Sequence, residues 1–230
     1  MTNNCQALRP FYTVAIDGGA ASGKSSTSIR LAERMNFMHV DTGSHYRAVT
    51  HACIAKGLDF SQTDSLVPFV RQLRFSSLVR GHECLICLEP GQPLADQQLR
   101  SPQVNAQVSQ LSAVPEVRDA VKSYQREQVE VARREGFAGV VMDGRDIGTV
   151  ILPDADLKVF LQADPETRQK RRELEGATDE IRDRDRRDSS RATAPLKPAS
   201  DAVVIDNSKI GLEEVVDAII GLLPDEGACE

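Results

Sequence analysis

Gly18-Gly19-Ala20-Ala21-Ser22-Gly23-Lys24-Ser25 fills the pattern G-x-x-x-x-G-K-[ST] without a gap or a substitution. Each part of that pattern suits one task in phosphate chemistry. Glycines let the backbone turn so that successive N–H groups converge on an anion with no side chain in the way. A helix opening at the end of the loop adds its partial positive charge. The Lys24 ammonium can reach the outer phosphates of a nucleotide, and the Ser25 hydroxyl suits Mg²⁺. The flanks agree, because residues 13–17 form a short β-branched and apolar run and residues 26–35 are compatible with a helix. A glycine-rich turn that binds nothing is the alternative, and the lysine-serine pair between a strand and a helix argues against it. Residues Gly18 to Ser26 are therefore read as a cradle for a nucleoside triphosphate.

Acids and arginines form a second layer. Asp17, Asp41 and Asp143 end apolar runs that read as strands, where a doubly wound sheet carries its site. Asp143 is read as the second acid near Mg²⁺, acting through water, with a helix N-cap as the competing structural role. Arg47 lies one turn into a helix after Asp41-Thr42-Gly43, where it could meet a second phosphate, and Arg145 and Asp146 follow Asp143-Gly144 directly. Between residues 164 and 191 there are nine Lys/Arg and nine Asp/Glu, so the segment is not a nucleic-acid tail. Eight of the nine cations are arginines, which favours bidentate phosphate recognition over a merely solvated helix. Some of these arginines are expected to clamp phosphates and others to pair with neighbouring acids.

The elements that must position these groups are legible too. Residues 13–17, 37–41, 139–143, 157–162 and 202–206 read as strands buried on both faces and alternating with helices, which implies a parallel sheet. Three apolar stripes mark core-facing helices: Tyr46, Val49 and Cys53; Val117, Val121, Tyr124 and Val131; Val215, Val216, Ile219, Ile220 and Leu223. Residues 57–115 interrupt the alternation. There, 73–79 and 83–88 suggest a hairpin, and the stretch is expected to pack at one side of the main sheet. The 230 residues suit one domain, and the formal charge of −6 argues against a broad nucleic-acid-binding surface. The N-terminal residues are polar and no apolar run approaches about 18 residues, so a cytoplasmic location without membrane contact is expected. The five cysteines do not suggest a disulfide framework. The four histidines show no metal-binding spacing and are read as structural or solvated.

Three longer pieces are far more selective than the loop: Asp41-Thr42-Gly43 with Tyr46-Arg47, Asp143-Gly144-Arg145-Asp146-Ile147-Gly148-Thr149-Val150, and Arg186-Arg187-Asp188-Ser189-Ser190-Arg191-Ala192 leading to Ala194-Pro195-Leu196-Lys197-Pro198. On these the chain resembles the bacterial cytidylate kinases, of the nucleoside monophosphate kinase group, over nearly its whole length. The resemblance implies an α/β fold: a P-loop doubly wound five-stranded parallel sheet in a single kinase domain over residues 1–230. It also implies a small monophosphate-binding insert at 57–115 and a short lid at 165–191. The implied reaction moves the ATP γ-phosphate to CMP or dCMP with Mg²⁺, in a monomer. Lys24, Arg145, Arg168 and Arg172 would be catalytic. Arg47 and Arg145 would bind the CMP phosphate with Asp146 nearby. Thr42, Ser109, Arg118 and Arg191 would read cytosine, and Arg184 and Asp188 would hold the ribose. Two other readings stay open: a P-loop kinase for UMP or another small acceptor, and a nucleotide-binding regulator without transfer activity. A GTP switch is disfavoured because no N-K-x-D guanine reader occurs.

Overall fold

The computed structural model describes residues 10–174 and 194–224. Its centre is a parallel sheet of β1 (Tyr12–Gly18), β2 (Phe37–Asp41), β6 (Gly139–Gly144), β7 (Leu157–Gln162) and β8 (Val203–Asp206), in the order β2-β6-β1-β7-β8. These are the five runs expected from sequence, with β8 starting one residue later. Alternation along the strands sorts the side chains into two cores. Val14 and Ile16 face α1 (Lys24–Met35) and α8 (Leu212–Ile220), together with Leu31, Val215 and Ile219. Ala15, Met38, Val40, Val140 and Met142 face the other way, against Val131 and Ala132 of α6 (Pro115–Arg134). The three helical stripes all turn inward.

One expectation fails at the sheet's end. β8 is not buried on both faces: Val203 and Val204 are 37% and 49% exposed. Among the described residues it has a strand neighbour on one side only, so it lacks the cover that inner strands share.

The segment after α2 (Thr42–Ala55) supplies α3 (Thr63–Gln72), β3 (Ser76–Arg80), β4 (Glu83–Glu89), the two-residue β5 (Gln92–Pro93), α4 (Asp96–Leu99) and α5 (Pro102–Leu111). The expected hairpin is present, but it begins at Ser76 rather than residue 73. It also does not simply pack at one side of the sheet. β4 pairs with β2 through His39 and Glu83, so the hairpin prolongs the sheet beyond β2. Helices α3 and α5 close a third core with α2 and α6 around Val49, Leu66, Val108 and Val117. Cys84 and Cys87 of β4 are buried free thiols, and Cys84 Sγ donates to Gln128 Oε1 at 3.1 Å. Among the described residues no helix is long and apolar enough to cross a membrane.

His45, on the inner side of α2, is fully buried. Its ring lies 5.0 Å from that of Tyr124, and neither ring nitrogen has a hydrogen-bond partner among the described residues. Burial pulls its pKa down to about 3. The unfolded chain binds this proton near pH 6.5 and the folded chain does not, so the His45 contribution to stability falls as pH drops below about 6.5. Replacing His45 with Leu removes two unsatisfied polar atoms from the core and should stabilise the fold by about 1–3 kcal/mol at pH 7.5. The gain should be about 1.4 kcal/mol larger at pH 5.5, where the unfolded reference is protonated. Urea unfolding of both proteins at the two pH values tests this; a gain that does not grow on acidification would contradict it.

Candidate active site

The loop between β1 and α1 follows from local constraints. A Cβ on Gly18 would collide with the carbonyl oxygen of Leu161 on β7, so the loop leaves the sheet where only glycine fits. Gly23 caps α1 at φ +88, a left-handed conformation that glycine adopts without strain. Ala21 holds φ +54, which costs an L-residue about 1–2 kcal/mol, so the loop's shape is imposed from outside. The donors that impose it are visible. Lys24 Nζ donates to Gly19 O at 2.7 Å, Arg145 Nη1 to Gly18 O at 2.9 Å, and Arg168 Nη1 to Ala20 O at 3.3 Å. Asn207 Nδ2 donates to Ser22 O at 2.8 Å. No acid of the helix itself stands in the first turn of α1.

Register brings the acids together. Asp41 and Asp143 are direct neighbours across β2 and β6. Ser25 Oγ donates to Asp143 Oδ1 at 3.3 Å, and His39 Nε2 lies 2.8 Å from Asp143 Oδ2. Burial alone would push the Asp143 carboxyl up. The hydrogen bond and charge of His39, with Lys24 and the Ser25 hydroxyl, outweigh burial and hold it below the usual carboxylate range. Burial likewise pulls the His39 imidazole down, but Asp143's hydrogen bond and charge outweigh it and raise the ring's pKa. Asp41 is driven up by burial and by the Asp143 charge beside it. Its Oδ1 also accepts Ser44 N at 3.2 Å and caps α2. The N-cap role weighed for Asp143 goes elsewhere, because the first N–H groups of the helical turn after β6 are taken by Asp17. Asp17 does not line the cleft: its carboxylate accepts the N–H groups of Ile147 and Gly148, each at 2.8 Å, and fixes the π-helical turn Ile147–Ile151.

One cleft collects most of the residues singled out from sequence. Ala20 to Ser26 line it, with Arg172 of α7 (Pro165–Leu174) and Asp143. Thr42, Arg47, Ser109, Arg118, Arg145 and Asp146 line it too, and Arg145 also reaches the loop at Gly18 O. Arg47 is 6% exposed and donates to Leu99 O at 3.1 Å and Asn105 Oδ1 at 2.5 Å. Arg118 pairs with Asp146 through Nη2, donates to Ser112 O at 3.1 Å through Nη1, and lies over the Tyr46 ring. The Thr42 hydroxyl donates to Asp143 O at 2.7 Å. Gly18, Gly19 and Arg168 support the loop from outside the cleft lining. Arg184, Asp188 and Arg191 lie outside the described residues.

Sequence reasoning missed several lining or supporting groups. Tyr46 and Arg100 line the cleft, and Arg100 stands 3.6 Å from Asp41 Oδ2. Tyr46 was seen only as core. His39 was set aside as structural or solvated, although its position two residues before Asp41 on a strand aimed at the loop was a usable signal. Asn207 directly follows the last strand's terminal acid, the only hint it gave. Among the described residues no cluster of three or more His, Cys, Asp or Glu could hold a metal alone. The Ser25–Asp143 pair offers hard oxygens suited to Mg²⁺, with phosphate and water oxygens completing the shell.

A family described as cytidylate kinase matches residues 14–225. The cytidylate kinase of Streptomyces avermitilis is 37% identical, with 100% of both chains covered. That of Geobacillus kaustophilus is 39% identical over 92% of this chain and 96% of the relative. That of Pseudomonas aeruginosa strain LESB58 is 40% identical over 90% and 93%. Because the match spans the loop, the acid-bearing strand ends and the arginines that face them, the chain belongs to the cytidylate kinase family.

Proposed function

We propose that this protein phosphorylates CMP and dCMP, transferring the γ-phosphate of ATP to give the nucleoside diphosphates. The observation that carries the reading is one cleft that combines a phosphate loop with a set of arginines. The loop and its helix N-terminus line it together with Arg47, Arg118 and Arg145. Two polyanions repel, so a protein that joins them must supply cations and hold the reacting oxygens in line. Lys24 and the loop N–H groups bind the triphosphate. Arg47 and Arg145 hold the acceptor phosphate against it, and Arg168 and Arg172 extend from α7 over the transferred group. Thr42, Ser109 and Arg118 face the acceptor's base, since hydroxyl and guanidinium donors match the O2 and N3 acceptors of cytosine; Arg191 would join them. Arg184 and Asp188 would hold the ribose. Residues 57–115 serve as the monophosphate-binding insert and 165–191 as the lid. No residue need act as general base, because the acceptor oxygen is already anionic. Ser25 and Asp143 would hold Mg²⁺, which would supply positive charge against the phosphates. A cytoplasmic location goes with this reading.

An acceptor panel in a coupled ADP-release assay tests the assignment. CMP and dCMP should give the highest kcat/KM; turnover of UMP or AMP equal to theirs would sink the cytosine reading. Two variants should split the cleft. Arg47→Ala should raise KM for CMP roughly 10- to 100-fold, the worth of a charged hydrogen bond, and leave KM for ATP within about twofold. Lys24→Ala should instead cut kcat by about 100- to 1,000-fold, as loss of a preorganised charge on the transferred group does. Unchanged acceptor kinetics in Arg47→Ala would mark that arginine as purely structural.

A further inference from the structure

Asn207 directly follows β8 and is 3% exposed. Both ends of its amide are committed. Nδ2 donates to Ser22 O at 2.8 Å, while Oδ1 accepts from Arg171 Nη1 at 3.0 Å. A carbonyl can only accept and a guanidinium can only donate, so the neighbours dictate which way the amide points. The backbone is held as firmly. Asn207 N donates to Gln162 O of β7 at 2.9 Å, and Asn207 O accepts from Arg171 Nη2 at 2.9 Å. A strand end and a lid-region helix thus fix Asn207 in place, and its remaining amide N–H is presented to the phosphate loop.

What that N–H grips is the Ser22–Gly23 peptide plane. In a trans peptide the carbonyl and the following N–H point in opposite directions. Holding Ser22 O toward Asn207 therefore turns the Gly23 N–H away from it, toward the cleft where phosphates would lie. The neighbouring planes are held through Gly18, Gly19 and Ala20 by Arg145, Lys24 and Arg168. Those three are cations that the reaction itself calls on, and a phosphate oxygen is a stronger acceptor than a carbonyl. Asn207 is neutral and does not line the cleft, so its grip can persist while substrates come and go. The fit is close: a Cβ on Gly23 would sit 3.2 Å from Asn207 Nδ2 and 3.5 Å from Arg171 Nη1. The left-handed Ala21 shows that the loop needs such holders.

We propose that Asn207, oriented by Arg171, is a positioning residue for the phosphate loop: it fixes the Ser22–Gly23 peptide so that the loop's N–H groups face the triphosphate. The assignment rests on the proposed kinase reading only in naming ATP as the ligand. Asn207→Asp is the sharpest test, because it keeps size and the Arg171 contact but turns the donor into an acceptor facing Ser22 O. Full-length wild type and variant are titrated with MgATP by calorimetry, without acceptor, and KM for CMP is then measured. The Kd for MgATP should rise about tenfold or more, with KM for CMP within about twofold and Tm little changed. Arg171→Met, which leaves the amide unheld, should shift MgATP affinity in the same direction by less, and it carries the test if Asn207→Asp does not fold. An unchanged MgATP Kd in the variant that folds would overturn the proposal, and so would an equal loss for both substrates. Failure of wild type to phosphorylate CMP would bear on the acceptor reading alone, since the titration contains no acceptor.

Discussion

The cleft is organised around an electrostatic conflict at the carboxyl edge of the sheet. Parallel register sets Asp41 beside Asp143, and two carboxylates so close, in a poorly hydrated site, cannot both ionise without compensation. The surroundings divide them. Asp143 receives the His39 hydrogen bond, the Ser25 hydroxyl and the Lys24 charge, and stays ionised below the usual range. Asp41 is left with the repulsion and with more distant help from Arg100 and Arg47, and its pKa rises. Lys24 and His39 offset the charge of Asp143, and His39, Arg100 and Arg47 that of Asp41. Loop, strand ends and arginines read as one charge-balanced unit rather than three motifs.

Arg47 shows how that unit couples to the hairpin segment. Its guanidinium lines the cleft, yet it also donates to Leu99 O and to the Asn105 side chain, on α4 and α5. Arg118 repeats the pattern, pairing with Asp146 while donating to Ser112 O just beyond α5. A guanidinium has five donors in a rigid fork, so one residue can hold a structural carbonyl and still face a ligand. The segment between α2 and α6 is therefore tethered by side chains that also line the cleft. Its strand pairing with the central sheet is confined to one residue pair between β4 and β2, and the third core holds the rest. Movement of this segment and the aim of the arginines cannot be independent.

What the sequence disclosed, and what it hid, divides by the range of the interactions. The five strands were legible because strands covered by helices are written as unbroken apolar runs, and the loop because its glycines and Lys24 are local requirements. The inner faces of α2, α6 and α8 were legible from period. His39 was not, since a histidine in an apolar strand looks the same whether it packs or bonds an acid 104 residues away. Asn207 reaches Ser22 across 185 residues, and nothing in Asp206-Asn207-Ser208 announces it. The exposure of β8 was hidden for a similar reason: Val203 and Val204 are apolar enough for an inner strand, and only topology makes them an edge. At Ala21 residue type was misleading in itself, because alanine gives no sign of a positive φ.

The balanced charges from residue 164 onward allowed two readings, a solvated salt-bridged helix or a phosphate clamp, and α7 reconciles them by helical period. Arg168, Arg171 and Arg172 stand at i, i+3 and i+4 and turn to the loop, Asn207 and the cleft. Lys170 pairs instead with Glu166 at 2.8 Å, and Gln169 with Glu173 at 3.0 Å, on exposed side chains. The outer pairs are open to solvent and add little to stability. Their consequence is one of sorting: the acids are engaged on the solvent side, where they cannot neutralise the arginines that face the loop. Lysine serves on the outer face, where a flexible point charge suffices. Arginine serves on the inner face, where Arg171 must meet an amide oxygen and a backbone carbonyl at once. The three arginines of α7 thus share one face of the helix, and the lysine stands on the other.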